Sequence, residues 1–161
     1  MDKSEKIEKT PRIYVETSVV SGMFDNNTHP VKARPFWDAV RKGEIIIIVS
    51  DVLDDELQDA PQHIRSFFAD LPASQIERVV STKESDALAA RYIAEGVVSR
   101  KSFNDCRHIA LATIAEADLI VSWNCRHIVR RGNKYNGVNK KAGYPRIEIQ
   151  TPNRYKVIYD I

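Results

Sequence analysis

The chain has only two cysteines, Cys106 and Cys125, in 161 residues. That is too few for a disulfide framework, and free thiols are the expected state in a reducing compartment. It lacks any apolar run near the ~20 residues of a membrane-spanning helix, so no membrane is expected among its partners. Residues Met1–Thr10 alternate lysine with acids and have no apolar centre. They read as a solvated, partly disordered tail, not a secretory signal, and the protein is expected to stay in the cytoplasm. No repeat or linker interrupts the remainder, so residues 11–161 are expected to form one domain, large enough to bury roughly two thirds of its unfolded surface.

The composition, 43% hydrophobic and 29% charged, is that of a globular protein. The net charge of +2 hides an asymmetry: Ser122–Ile161 holds nine Lys or Arg against two acids, and the rest of the chain is acidic. A basic region beside an acidic one suits a site that attracts a phosphate backbone and also holds a cation, although a solvated basic tail would show the same count.

Short β-branched runs alternate with helix-period segments, which predicts an α/β fold with a central parallel sheet. Strands are expected at Ile13–Glu16, Ile45–Val49, Ile76–Val80 and Leu119–Val121, with an edge strand at Ile147–Ile149. The five β-branched residues of Ile45–Val49 do not alternate with polar ones, so this strand is expected in the interior. Helices are expected from about Ser18, from Pro30 to Lys42, at Asp51–Asp59, Gln62–Asp70, Lys83–Ala94 and Phe103–Ala117. The Gly-, Asn- and Lys-rich Gly132–Tyr144 reads mainly as loop or short helix.

Ligand sites of open parallel sheets lie at the carboxyl ends of the strands. Glu16 ends the first strand, and Thr17 and Ser18 follow with hydroxyls suited to metal-bound water or a helix cap. Asp105 opens a helix that leads into the fourth strand, which returns its carboxylate to the same edge. Ser102-Phe103-Asn104-Asp105 also fits a capping box. Glu56, at i+4 from Val52 and i+3 from Leu53, is expected on the inward face of its helix, where a charge needs a partner. Asn124 follows the fourth strand through Ser122 and Trp123, a position a turn residue would also take. Three carboxylates and an amide thus converge from distant segments, and hard oxygen ligands of this kind suit Mg²⁺ or Mn²⁺.

With these residues in place, the chain resembles the PIN-domain family, the nuclease fold of the VapC-type bacterial toxins. The likeness rests on Ile13-Tyr14-Val15-Glu16-Thr17-Ser18-Val19, Leu53-Asp54-Asp55-Glu56-Leu57, Asn104 to Ala112 and Asp118 to Asn124, with a further match at Lys141 to Ile149. It spans Arg12 to Pro152. It implies a three-layer α/β/α sandwich and hydrolysis of RNA phosphodiesters with Mg²⁺ or Mn²⁺, as the toxin of a type II toxin–antitoxin pair with a cognate antitoxin, and a homodimer. Glu16, Glu56 and Asp105 would hold the metal, with Asn124 adjacent. Water would attack in line, with Asp105 or Glu56 helping to accept its proton. Thr17, Ser18, Ser122, Arg126, Arg130, Arg131 and Lys134 would position the RNA. Glu16 and Asn124 stand where the commoner pattern has Asp, which puts a second metal in doubt. The alternative is a catalytically impaired PIN-like module that binds RNA or protein.

A haloacid-dehalogenase type phosphotransferase would need a nucleophilic Asp on the first strand and another two residues on, and Glu16-Thr17-Ser18 supplies neither. The repeated Cys-Arg-His at 106–108 and 125–127 invites a zinc site, but residues two apart on a helix point roughly 200° from one another. Cys106 is instead expected to pack with Ile109 and Ala110, and His127 to lie near the basic region.

Overall fold

Ile13, Tyr14 and Val15 face alternate sides of a sheet, and two hydrophobic layers grow from that alternation. The computed structural model describes residues 9–160. The expected N-terminal tail lies outside them, apart from Lys9 and Thr10, which take no regular structure. Strand β1 (Arg12–Val15) pairs in parallel with β2 (Ile46–Ser50) on one side and β4 (Leu119–Val121) on the other. Strands β3 (Ile76–Val79) and β5 (Ile149–Gln150) form the edges, again in parallel. The order is β3-β2-β1-β4-β5, so Ile46–Ser50 is interior, as its unbroken β-branched run predicts.

Helices α1 (Thr17–Ser21) and α2 (His29–Arg41) and the closing 3₁₀ turns at Pro152–Asp160 bury Val19, Phe36, Trp37 and Tyr155 against one face. The other face is covered by α5 (Lys83–Ala94), α6 (Phe103–Ile114) and α7 (Gly132–Ala142), through residues such as Leu88, Tyr92, Ile109 and Tyr135. The result is the expected α/β/α sandwich. Between the layers, at the carboxyl ends of the strands, lies the short α3 (Asp51–Leu57), capped by Ser50, whose hydroxyl accepts from the Leu53 amide at 3.3 Å.

Some expectations are corrected. Of the loop or short helix expected at Gly132–Tyr144, it is the helix that forms, over the eleven residues Gly132–Ala142. Tyr135, Val138 and Asn139 bury one face of it, and Gly143, at φ 83°, supplies the left-handed residue that ends it, so packing outweighs poor propensity. Gln62–Asp70 breaks at Ser66 into α4 (Gln62–Arg65) and a 3₁₀ turn at Phe67–Asp70, neither with a fully buried side chain to make a stripe. The edge strand lies later than Ile147–Ile149, because the Asn136 amide bonds both the N–H and the C=O of Ile147, at 2.8 and 2.9 Å, and takes them from the ladder. Among the described residues no helix is long and apolar enough to cross a membrane.

Candidate active site at the carboxyl edge

The strand order reverses direction between β1 and β4. The chain runs from β1 outward to β3, then returns to the far side of β1. In sheets of this kind, ligands bind in the crevice outside the carboxyl ends at such a reversal. Glu16 immediately follows β1, and Ser122 immediately follows β4. Their side chains meet there: the Ser122 hydroxyl donates to Glu16 Oε1 at 2.5 Å.

Glu16 is buried and clamped from both strands. The Ser18 hydroxyl also donates to Oε1 at 2.5 Å, and the Ser18 amide donates to Oε2 at 3.1 Å, which makes Glu16 the N-cap of α1. The two hydroxyls are oriented by backbone amides beyond β4. Trp123 N–H donates to Ser18 and Asn124 N–H to Ser122, each at 2.9 Å. Ser18 and Ser122, expected to position substrate, here position a carboxylate.

Asp105 lies in the first turn of α6, and its capping role is overturned: Ser102 makes no side-chain cap bond. A 3₁₀ turn at Arg100–Ser102 runs into the helix and leaves Ser102 outside the extended geometry that a cap needs. Asp105 Oδ2 instead accepts from the Asn124 side-chain amide at 3.3 Å. Burial, and then the negative charge of Glu16, push this carboxyl above the ordinary range, Glu56 adding to the effect while His108 and His127 oppose it.

Glu56 is not buried on an inward face as expected but holds an exposed position on α3, its carboxylate turned to a partner that sequence reasoning missed. His108 Nε2 lies 2.6 Å from Glu56 Oε1, and the Thr17 hydroxyl donates to the same oxygen at 2.7 Å. Burial alone would raise the Glu56 carboxyl, but the hydrogen bonds from His108 and Thr17, with Arg107 nearby, hold it below its ordinary value. His108 is fully buried, and its Nδ1 lies 2.7 Å from the Tyr14 hydroxyl, itself 2.7 Å from Ser50 Oγ. The available signal was spacing: His108 is three residues on from Asp105, hence on the same helix face.

A second unforeseen group borders the first. Asp51 accepts from the amide and hydroxyl of Ser81 at 3.0 and 2.6 Å, and Arg107 reaches Ser81, Asp86 and Asn104 at 3.1, 3.2 and 3.3 Å. Asp54, Asp55 and Asp59 are exposed, as expected. Cys106 packs with Ile109 and Ala110, and burial pushes its thiol up to about 12.

The basic residues divide. Amides of Ile128 and Val129 both donate to the Asn124 carbonyl at 3.1 Å, and Arg130 N–H donates to the Cys125 carbonyl at 2.8 Å. This tight turn keeps the exposed Arg126 and Arg130 near Asn124. Arg131 bonds the Arg126 carbonyl, and Lys134 lies exposed on α7, neither bonded to the acids.

The chain matches no protein-family model and no curated protein. The bearing of the site on function therefore rests on its own chemistry. Its donors fit a hard divalent ion in kind, with carboxylate oxygens whose mutual repulsion a cation would relieve. They do not yet fit in spacing: among the described residues, no three His, Cys, Asp or Glu side chains are placed to hold one metal ion.

Proposed function

We propose that the chain is a metal-dependent ribonuclease that hydrolyses RNA phosphodiester bonds, acting as the toxin of a type II toxin–antitoxin pair. The observation that carries this reading is the gathering of Glu16, Glu56 and Asp105 on one hydrogen-bonded rim. Thr17, next in the chain to Glu16, donates to Glu56, and Ser122 with Asn124 joins Glu16 to Asp105 through hydrogen bonds. The four motifs that resemble the PIN family support RNA as substrate; antitoxin and homodimer rest on that resemblance alone.

Glu56, Asp105 and Glu16 are the residues that would hold Mg²⁺ or Mn²⁺, and an ion held there would supply charge neutralisation at the phosphate and an activated water. Glu56 Oε2 and Asp105 Oδ1 accept no hydrogen bond among the described residues, so both are open to a ligand. Asp105 is the better proton acceptor of the two, because its surroundings raise its carboxyl while those of Glu56 lower it. Asn124 donates to Asp105 Oδ2 and orients this carboxylate. Arg126 and Arg130 would carry the backbone phosphates.

Asp105→Asn, assayed on RNA with Mn²⁺ and by Mn²⁺-dependent melting, tests the reading. Cleavage is expected to fall by about 10²–10⁴-fold and most of the metal-induced rise in melting temperature to disappear. Full cleavage and full metal response in the variant would sink it. One observation favours the alternative of a catalytically impaired PIN-like binding module: Glu16 is satisfied by serine and backbone donors, with no three-residue metal group among the described residues. RNA retained by the wild type with no Mn²⁺-dependent cleavage would establish that alternative.

A further inference from the structure

Glu56 stands on a helix too short to hold it still. Helix α3 has seven residues, its buried side chains are Val52, Leu53 and Leu57, and the Glu56 side chain is 29% exposed. A free glutamate on such a helix would sample several rotamers, and side-chain freedom of that size is costly to remove at the moment of binding. The structure removes it beforehand.

We infer that His108, Tyr14 and Ser50 are positioning residues, a buried relay that fixes the Glu56 carboxylate in one conformation with Oε2 turned free. The inference rests on the reading of Glu56 as a member of the active site. The relay is a closed ring. It starts at the N-cap of α3, crosses β1 and α6, and returns to α3 beyond its first turn. Leu53 N–H donates to Ser50 Oγ, and the Ser50 hydroxyl, Tyr14 hydroxyl and His108 Nδ1 follow at 2.7 Å steps, closing on Glu56 at 2.6 Å. With the His108 proton on Nε2, every donor in the ring has one acceptor: Ser50 donates to Tyr14, Tyr14 to Nδ1, and Nε2–H to Glu56. A proton on Nδ1 as well would strand one buried hydroxyl hydrogen.

The ring is also built of parts with no freedom of their own. Tyr14 and His108 are fully buried and Ser50 is 1% exposed. The Tyr14 and His108 rings meet nearly edge to face, with centroids 5.6 Å apart. Thr17 holds the same Oε1, its hydroxyl 3.4 Å from His108 Nε2. Both anchors therefore take one carboxylate oxygen and leave the other.

A buried histidine could serve stability alone, and a double-variant cycle separates the two roles. Tyr14→Phe removes one hydroxyl and keeps the ring; His108→Gln serves as a second, independent break. If the relay acts through Glu56, Tyr14→Phe should weaken Mn²⁺ binding and lower kcat by about tenfold each, at the lower end of what loss of such outer partners costs. KM for RNA should stay within about twofold, because phosphate contacts dominate it. In a Glu56→Ala background the same change should have no further effect on kcat or metal binding. An equal effect in both backgrounds, or none in either, overturns the inference.

A metal-free measurement keeps it separate from the functional reading. Side-chain NMR of Glu56 should show one rotamer in the wild type and averaging among rotamers in Tyr14→Phe and His108→Gln. Should the wild type neither bind Mn²⁺ nor cleave RNA, the ribonuclease reading falls while this arm still decides the relay. Equal order of Glu56 in wild type and both variants would refute it.

Discussion

On one side of the sheet, Phe36, Trp37 and Phe67 pack edge to face, with ring centroids 5.0 and 4.7 Å apart, and the indole N–H of Trp37 finds no acceptor among the described residues. On the other side Tyr92 donates to Asn139, Asn139 donates to Thr113 at 3.3 Å, and Tyr14 meets His108. Both layers exclude water, but the first uses shape alone and the second combines apolar packing with paired hydrogen bonds. Glu56 is steadied chiefly by the second, with Thr17 of α1 adding one bond. A hydrogen-bonded layer is specific about geometry, since a misplaced member leaves a buried polar group unpaired, whereas an apolar layer accepts small shifts. The side that must hold a side chain in place is the side built with polar groups.

The largest expected effect comes from breaking the apolar layer. Trp37→Ala should lower unfolding free energy by about 3–5 kcal/mol in urea titrations. The Mn²⁺-induced stabilisation of what remains folded should be unchanged, and its loss would show that the layers are coupled through the sheet.

Removing a hydroxyl from each layer sharpens the contrast. Tyr92→Phe leaves the Asn139 carbonyl oxygen without its donor and should cost about 1–3 kcal/mol. Tyr155→Phe, on the apolar side, strands no partner among the described residues and should stay within about 0.5 kcal/mol of wild type. Similar costs at the two positions would erase the distinction.

The smallest effects are read through pH. The Asp105 carboxyl lies above its ordinary value, so the folded state binds that proton more tightly than the unfolded state does. Its charging costs stability near neutrality, and Asp105→Asn should be at least as stable as wild type there, the gap closing as pH falls through the raised value. Glu77 behaves oppositely, because the hydrogen bond from Arg12 holds its carboxyl below the ordinary value. Its contribution is present above the unfolded carboxylate range and lost as pH falls through the folded value. Glu77→Gln should cost under about 1 kcal/mol near neutrality, since the pair is partly exposed, and nothing in strong acid. Urea titrations of both variants across the acid range check the two signs.

The strands were legible because β-branched runs declare themselves, and Lys83–Ala94 and Leu119–Val121 match their expected bounds. The carboxyl-edge acids were legible because each follows a strand or opens a helix that returns to the edge. What could not be read was whatever depends on side chains meeting across the chain. His108 lies 52 residues from Glu56 and 94 from Tyr14, and no local pattern encodes that encounter. The choice between loop and helix at Gly132–Ala142 stayed open for the same cause, since the helix is stabilised by a buried face that its composition conceals. Ser102 misled in the opposite way: its spacing to Asp105 is that of a cap, but the preceding 3₁₀ turn denies it the geometry.

Far from the acids, Arg12 clasps the amino edge. Its guanidinium grips both oxygens of Glu77 on β3 at 2.8 and 2.6 Å and the Ala115 carbonyl at the end of α6 at 3.0 Å, while its amide donates to Asp118 before β4 at 2.8 Å. Three strands and a helix are thus fastened at the pole opposite the site. The consequence is modularity. Turns at the carboxyl pole, such as Asn124–Arg131, can exchange residues and length without loosening that clasp, so selection can retune what the molecule recognises while its folding frame is inherited unchanged.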